Sequence, residues 1–208
     1  ILEQVIMNKI KTELVNAFGG EFYEVIIGGA AFNKEVEAFF KRMEFPFTVG
    51  YGMTECAPII TYDDYKTAKL FSCGKIVPNM EMMVDSPDPQ NIPGELLVRG
   101  ANVFLGYYKN EEATREVLDA DGWLHTGDMG YMYNEELLYV VGRFKSLLIA
   151  ADGEKYSPEG IEENLVESSK YIDGAILHNS QDPYTIALIT PNKEALKAYA
   201  KGLGLDPE

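Results

Sequence analysis

The sequence predicts an α/β region, then a small, mostly β region, then a short α+β module. Three observations carry that expectation. Over residues 2–43 a helix-period stretch, a buried strand, a glycine turn and a second helix-period stretch follow one another, which is α/β grammar. From Gly74 onward, short strand-length runs alternate with Pro, Gly and Asp clusters. After Gly142, helical and strand-like patterns alternate again. The expected bounds are 1–73, 74–141, a joint at 142–145, and 146–208.

In the first region Leu2, Val5, Ile6, Ile10, Leu14 and Ala17 recur at helical spacing, and Gly19-Gly20 stops the helix. Phe22 to Ile27 is apolar and β-branched, as a buried strand is. It ends in Gly28-Gly29-Ala30. Asn33 caps a second helix with Val36, Phe39, Phe40 and Met43 on one face. Pro46 to Val49 starts another short strand.

In the second region the strand-like runs are Glu81 to Val84, Glu95 to Val98 and Leu137 to Val141. Pro87 to Asn91 and Pro93-Gly94 are turn chemistry. Asn110 caps a short helix over 111–118 with acids in its first turn. In the third region Ser157-Pro158 signals a cap and first helical position, with Ile161 and Leu165 facing inward. Ala175 to Leu177 and Ile186 to Ile189 pair across a turn at Gln181-Asp182-Pro183. Asn192 caps a last helix carrying Ala195, Leu196 and Tyr199, closed by Gly202.

The chain has 208 residues, 46% hydrophobic and 25% charged, enough for one or two domains with real cores. A net charge of −15 argues against nucleic acid and against a polybasic membrane anchor. Cys56 and Cys73 have no metal-binding spacing and fit reduced thiols in a cytoplasmic protein; a disulfide between them is the alternative. No apolar run approaches the roughly 20 residues of a membrane span, and no signal peptide is visible. Contact with a membrane surface stays open. The chain starts in what reads as mid-helix, so a piece of a longer protein is expected.

Residues 51–55, YGMTE, combine a ring that can stack on a base, a glycine that lets backbone approach a phosphate, a hydroxyl donor and a carboxylate suited to Mg²⁺. A plain glycine turn with a solvated Glu55 competes on equal terms. Thr126-Gly127-Asp128 sets one carboxylate on a glycine turn. It could clamp a ribose diol, or satisfy its own turn backbone. Arg143 could reach ribose or phosphate, or be a surface arginine. Trp123, Tyr107, Tyr108, Tyr131, Tyr133 and Tyr139 read as packing. His125 and His178 read as structural.

In order, GELLVRG, GYYKN, GWLHTGDMG, GRFKSLLI and ADGEKYSPEGIEE, with YGMTE upstream, resemble the adenylate-forming enzymes: acyl-CoA synthetases, luciferases and peptide-synthetase adenylation domains. The wording is most similar to the long-chain fatty acyl-CoA synthetases. The alanines of LLIAADGEKYSP depart from the luciferase branch, where a lysine often precedes the glycine.

The resemblance implies that the first two regions are the C-terminal part of a large adenylation domain. The joint is then a hinge and the last region a truncated C-terminal domain. It implies ATP, Mg²⁺ and CoA as reactants, with fatty acid as the substrate. Gly28, Gly29, Ala30, Tyr51, Gly52, Thr54, Asp128 and Arg143 would line the ATP/AMP site. Thr54 and Glu55 would serve catalysis, with Glu55 on the metal. Lys145 would be the hinge, and Gly153 would leave room for CoA. The family's phosphate loop and catalytic lysine are expected outside these residues, so the 208 residues alone are expected to be inactive. Two alternatives remain: transfer to an acyl carrier protein, or a non-catalytic nucleotide- or acyl-binding module.

Overall fold

The structure is a computed structural model and describes residues 2–152 and 155–205. The chain divides into two compact units, Ile1–Val140 and Val141–Glu208.

The first unit opens with helix α1 (Leu2–Ala17). Its spacing is helical as expected, but the buried anchor is Met7, while Leu2, Val5 and Ile6 are exposed. Gly20 N–H bonds back to the Val15 carbonyl at 2.9 Å, and Gly19 and Gly20 take φ of +93° and +81°, a left-handed stop that glycine adopts without a Cβ clash. Strand β1 (Val25–Ile27) runs parallel to β2 (Phe47–Val49), with α2 (Lys34–Arg42) between them in sequence. Asn33 caps α2 as expected, its Oδ1 accepting from Val36 N–H at 2.8 Å. Phe40 packs on Phe45 and Phe47 at ring separations of 4.9 and 5.3 Å. These rings, with Met7 and Met43, form the core of this layer. The strand is shorter than the apolar run Phe22–Ile27 because Phe22 serves that core from the approach to β1.

Three short antiparallel strands follow: β3 (Tyr51–Gly52), β4 (Ile59–Tyr62) and β5 (Lys75–Ile76). The 51–55 stretch is not simply a glycine turn. Its first two residues are strand because Tyr51 lies opposite Thr61 and Gly52 opposite Ile59. A four-stranded antiparallel sheet follows: β6 (Met80–Asp85), β7 (Gly94–Gly100), β8 (Leu124–Tyr133) and β9 (Leu137–Arg143), in that spatial order; the first unit ends within β9, at Val140. Helix α3 (Glu111–Val117) lies between β7 and β8 in sequence, and Asn110 caps it, accepting from Ala113 N–H. Leu96, Leu124, Leu138 and Val98 are fully buried under this sheet.

In the second unit β10 (Leu148–Ile149) pairs with β11 (Lys155–Tyr156). Helix α4 (Glu159–Glu167) precedes the antiparallel pair β12 (Ile172–His178) and β13 (Ile186–Pro191), and α5 (Lys193–Gly202) follows it. The Ser157-Pro158 signal is displaced by one residue. Pro158 sits at the cap, and the Ser157 hydroxyl donates to the Glu159 carboxylate, with the Val141 carbonyl as its more distant second acceptor. Ile161, expected inward, is exposed. Gly202 is the last helical residue rather than the stop, which is Leu203. No described helix is long and apolar enough to cross a membrane.

Candidate functional site

Tyr51 and Asp128 lie 77 residues apart in sequence, yet the Tyr51 hydroxyl donates to Asp128 Oδ2 at 2.7 Å. The phenol ring packs against both core clusters beneath the antiparallel sheets, so the ring is anchored while the hydroxyl reaches the carboxylate. Burial first, and the Asp128 negative charge second, push the Tyr51 phenol well above its ordinary value. It is a donor at every physiological pH.

Asp128, expected on a glycine turn, lies inside β8. The pairing of β7 with β8 advances two residues on one strand (95 to 97) and four on the other (129 to 125), so β8 bulges between His125 and Met129. Gly127 sits in that bulge at φ +72°, a left-handed conformation that glycine takes without strain. The bulge is braced at several points. The Thr126 hydroxyl donates to the Leu96 carbonyl at 2.8 Å and accepts from Asp128 N–H at 3.1 Å. Glu95 accepts from Gly127 N–H at 3.2 Å and meets His125 Nδ1 at 3.1 Å. His125, expected to be structural, takes part in this bracing through Glu95. Glu95 was missed; its place in GELLVRG opposite the TGD strand was the available signal.

The YGMTE stretch folds tightly. A Cβ at Gly52 would lie 2.0 Å from the Pro58 carbonyl oxygen, which also accepts from Met53 N–H at 2.8 Å. Glycine is thus required here by a backbone crossing. Phosphate approach, the sequence argument for Gly52, is not needed to explain it. Thr54, Glu55 and Cys56 form one 3-10 turn. Thr54 is exposed, and Glu55 is half-buried. Glu55 Oε1 accepts from the Tyr107 hydroxyl at 2.8 Å, and the Glu55 carbonyl accepts from Phe104 N–H at 2.8 Å. The bond to Glu55 raises the Tyr107 phenol above its ordinary value. Tyr107, read from sequence as packing, belongs with Glu55.

Gly28-Gly29-Ala30 follows β1. A Cβ on Gly28 would come within 3.3 Å of the Gly50 carbonyl oxygen, and Gly29 has φ of +90°. The close approach and the turn each account for a glycine. In the second unit Arg143 ends β9, and its N–H donates to Glu159 Oε1 at 3.3 Å. The expected turn at 142–145 is instead the strand end followed by a short 3-10 helix, Phe144–Ser146, that holds Lys145. Gly153, the expected CoA-side residue, lies outside the described residues.

No described group of three or more His, Cys, Asp or Glu side chains could hold a metal ion. Glu55 is a single carboxylate on the 3-10 turn, held by Tyr107; a Mg²⁺ site can be made from one or two carboxylates when substrate phosphates and water supply the other oxygens. Both cysteines are free, and burial raises each thiol to about 11, so neither is an activated nucleophile.

Residues 4–108 match the family described as AMP-binding enzyme. A long-chain fatty acid–CoA ligase of Mus musculus is 35% identical over 76% of this chain and 24% of its own length. The peroxisomal long chain acyl-CoA synthetase 7 of Arabidopsis thaliana is 35% identical over 99% of this chain and 30% of its own. Among solved structures, o-succinylbenzoate CoA synthetase of Bacillus subtilis with its acyl-adenylate intermediate superposes with a TM-score of 0.73 at 26% identity, over 92% of this chain and 43% of that one. The same enzyme has been solved with ATP and magnesium ion. The chain spans about a quarter of the length of the curated relatives it matches.

Proposed function

The chain belongs to the AMP-binding enzyme family, and from that premise we propose that the protein carrying it activates a fatty acid with MgATP and passes the acyl group to CoA. In the first half-reaction the acid's carboxylate attacks the α-phosphorus, forming acyl-adenylate and releasing pyrophosphate. In the second, the CoA thiolate attacks the acyl carbonyl and AMP leaves.

The observation that carries the reading is the Tyr51–Asp128 hydrogen bond, which joins the YGMTE and TGD motifs in one place. Asp128 is assigned the two ribose hydroxyls, which a single carboxylate can accept together. Tyr51 holds that carboxylate and borders the adenine. Gly28, Gly29, Ala30 and Gly52 line the same ATP/AMP site, where Gly52 also lets the 52–58 backbone close. Thr54 donates to phosphate and Glu55 accepts the metal. Mg²⁺, when bound, neutralises phosphate charge. Arg143 contributes a charge-assisted donor. Rate enhancement comes from positioning and charge stabilisation rather than from a protein nucleophile.

Residues 1–73 and 74–141 are assigned to the large adenylation domain and 146–208 to the start of the C-terminal domain, turning at 142–145 about Lys145. Gly153 is assigned to the CoA side. Fatty acid as substrate is supported by the two relatives named as long-chain ligases or synthetases. A cytoplasmic location is supported by the two free cysteines, which fit a reducing compartment, while contact at a membrane surface rests on the greasy substrate alone.

The test is AMP binding by calorimetry to the longest natural polypeptide carrying this sequence, compared with 2′,3′-dideoxy-AMP. The native protein should prefer AMP by about tenfold or more, the worth of a hydrogen bond to a charged group. Asp128→Ala should lose that preference. Equal binding of both nucleotides by the native protein would remove the ribose assignment.

A further inference from the structure

The segment 102–107 straps the residues that carry Glu55. Asn102 Nδ2 donates to the Cys56 and Ile59 carbonyls at 2.7 and 3.0 Å. Phe104 N–H donates to the Glu55 carbonyl, and the Tyr107 hydroxyl donates to the Glu55 side chain, each at 2.8 Å. One short segment therefore holds Glu55 by both its backbone and its carboxylate.

Tyr107 is itself fixed. Its N–H donates to Thr114 Oγ1 at 2.9 Å, and its ring meets Phe104 edge-on at 4.9 Å. Phe104 is packed against the core cluster of Cys56, Ile60, Met80, Val98 and Leu124. A Cβ at Gly106 would stand 2.6 Å from Thr114 Cγ2, so the chain passes close against α3 immediately before Tyr107. The phenol is thus held from its backbone and its ring, with its hydroxyl directed at a flexible acid.

We infer that Tyr107 is a positioning residue: it holds the Glu55 carboxylate in one orientation to receive a divalent cation that enters with nucleotide phosphates. The inference rests on the reading of Glu55 as the metal-binding carboxylate. A free glutamate would have to be ordered when the cation binds, which weakens binding; a carboxylate already held does not. A neutral phenol restrains the group without cancelling its charge. A carboxylate has about four acceptor positions, so the bond at Oε1 leaves capacity for the cation. Partners of this kind, removed from metal ligands, typically change metal affinity by roughly 10–100-fold. Tyr107 is 39% exposed, which puts the expected effect at the lower end.

The experiment is calorimetric binding of ATP with and without Mn²⁺ to the longest natural polypeptide carrying this sequence. Native protein, Tyr107→Phe, Glu55→Ala and the double variant are compared. Thermal melting checks that each is folded. Tyr107→Phe should cut the Mn²⁺-dependent gain in ATP affinity about tenfold and leave metal-free ATP binding unchanged. In the Glu55→Ala background it should have no further effect. An unchanged gain in Tyr107→Phe alongside a lost gain in Glu55→Ala would overturn the positioning role and keep Glu55 as the metal carboxylate. An unchanged gain in Glu55→Ala would remove both. A loss in Tyr107→Phe that persists in the double variant, or that equally affects metal-free ATP, would show a general effect on the fold and also overturn it.

Discussion

Tyr51→Phe removes one hydroxyl and leaves the ring that packs between two core clusters. What is lost is the 2.7 Å bond to Asp128. A hydrogen bond to a charged acceptor contributes about 1.5–3 kcal/mol, and Asp128 is only half-buried, so the expected loss at pH 7 is about 1.5 kcal/mol. The same contact predicts a pH signature. The folded-state phenol is held above its unfolded value of roughly 10, so unfolding releases a proton once the pH passes that value. The contribution is fully present below about pH 10 and is lost as pH rises toward the folded value. Between those limits, native stability should fall more steeply than that of Tyr51→Phe by up to about 1.4 kcal/mol per pH unit. Urea unfolding followed by tryptophan fluorescence reads the correct region, since the only tryptophan, Trp123, lies in the first unit. Equal stability at pH 7, together with equal alkaline slopes, would refute the claim that this bond organises the site.

Gly52→Ala drives a methyl group to 2.0 Å from the Pro58 carbonyl; it should lower the same unfolding transition by about 1–3 kcal/mol, and unchanged stability would mean that the 52–58 crossing is not as close as described. Asn33→Ala removes the cap on α2 and should cost about 1 kcal/mol in urea unfolding, whereas Asn33→Asp should cost little. Cys56, fully buried and with its thiol pushed up to about 11, should react with a soluble disulfide reagent at pH 7.5 only after denaturant is added, while the half-buried Cys73 reacts first; prompt reaction of both thiols in the native chain would contradict the burial of Cys56.

Local signals in the sequence were legible where one residue decides the outcome. Asn33, Asn110 and Asn192 cap the helices they were expected to cap, because each side chain accepts from an N–H three residues on. The strand pair in the second unit was also readable, although longer than its most apolar stretch. Long-range pairing was not legible. The bulge that lifts Asp128 is created by β7 lying opposite β8, and nothing local in TGD distinguishes it from a turn. Pairing of short strands likewise makes the start of YGMTE strand β3 rather than a plain glycine turn. The same reason hid Tyr107. Its partner Glu55 is 52 residues away, and a tyrosine among several others reads as packing until the fold brings its hydroxyl to a carboxylate. Amphipathic spacing in α1 gave the helix and part of its packed face: Ile10 and Leu14 pack on the core as expected, with Met7 one turn before them on the same face, whereas Leu2, Val5 and Ile6 are exposed.

The most direct test of the central claim is ATP–pyrophosphate exchange by the longest natural polypeptide carrying this sequence. It should be measured across short, medium, long-chain and aromatic acids, with Asp128→Ala alongside. The account predicts exchange that is greatest with long-chain acids and collapses in the variant. Folded protein that gives no exchange with any acid, or an Asp128→Ala variant that exchanges as well as the native protein, would contradict it.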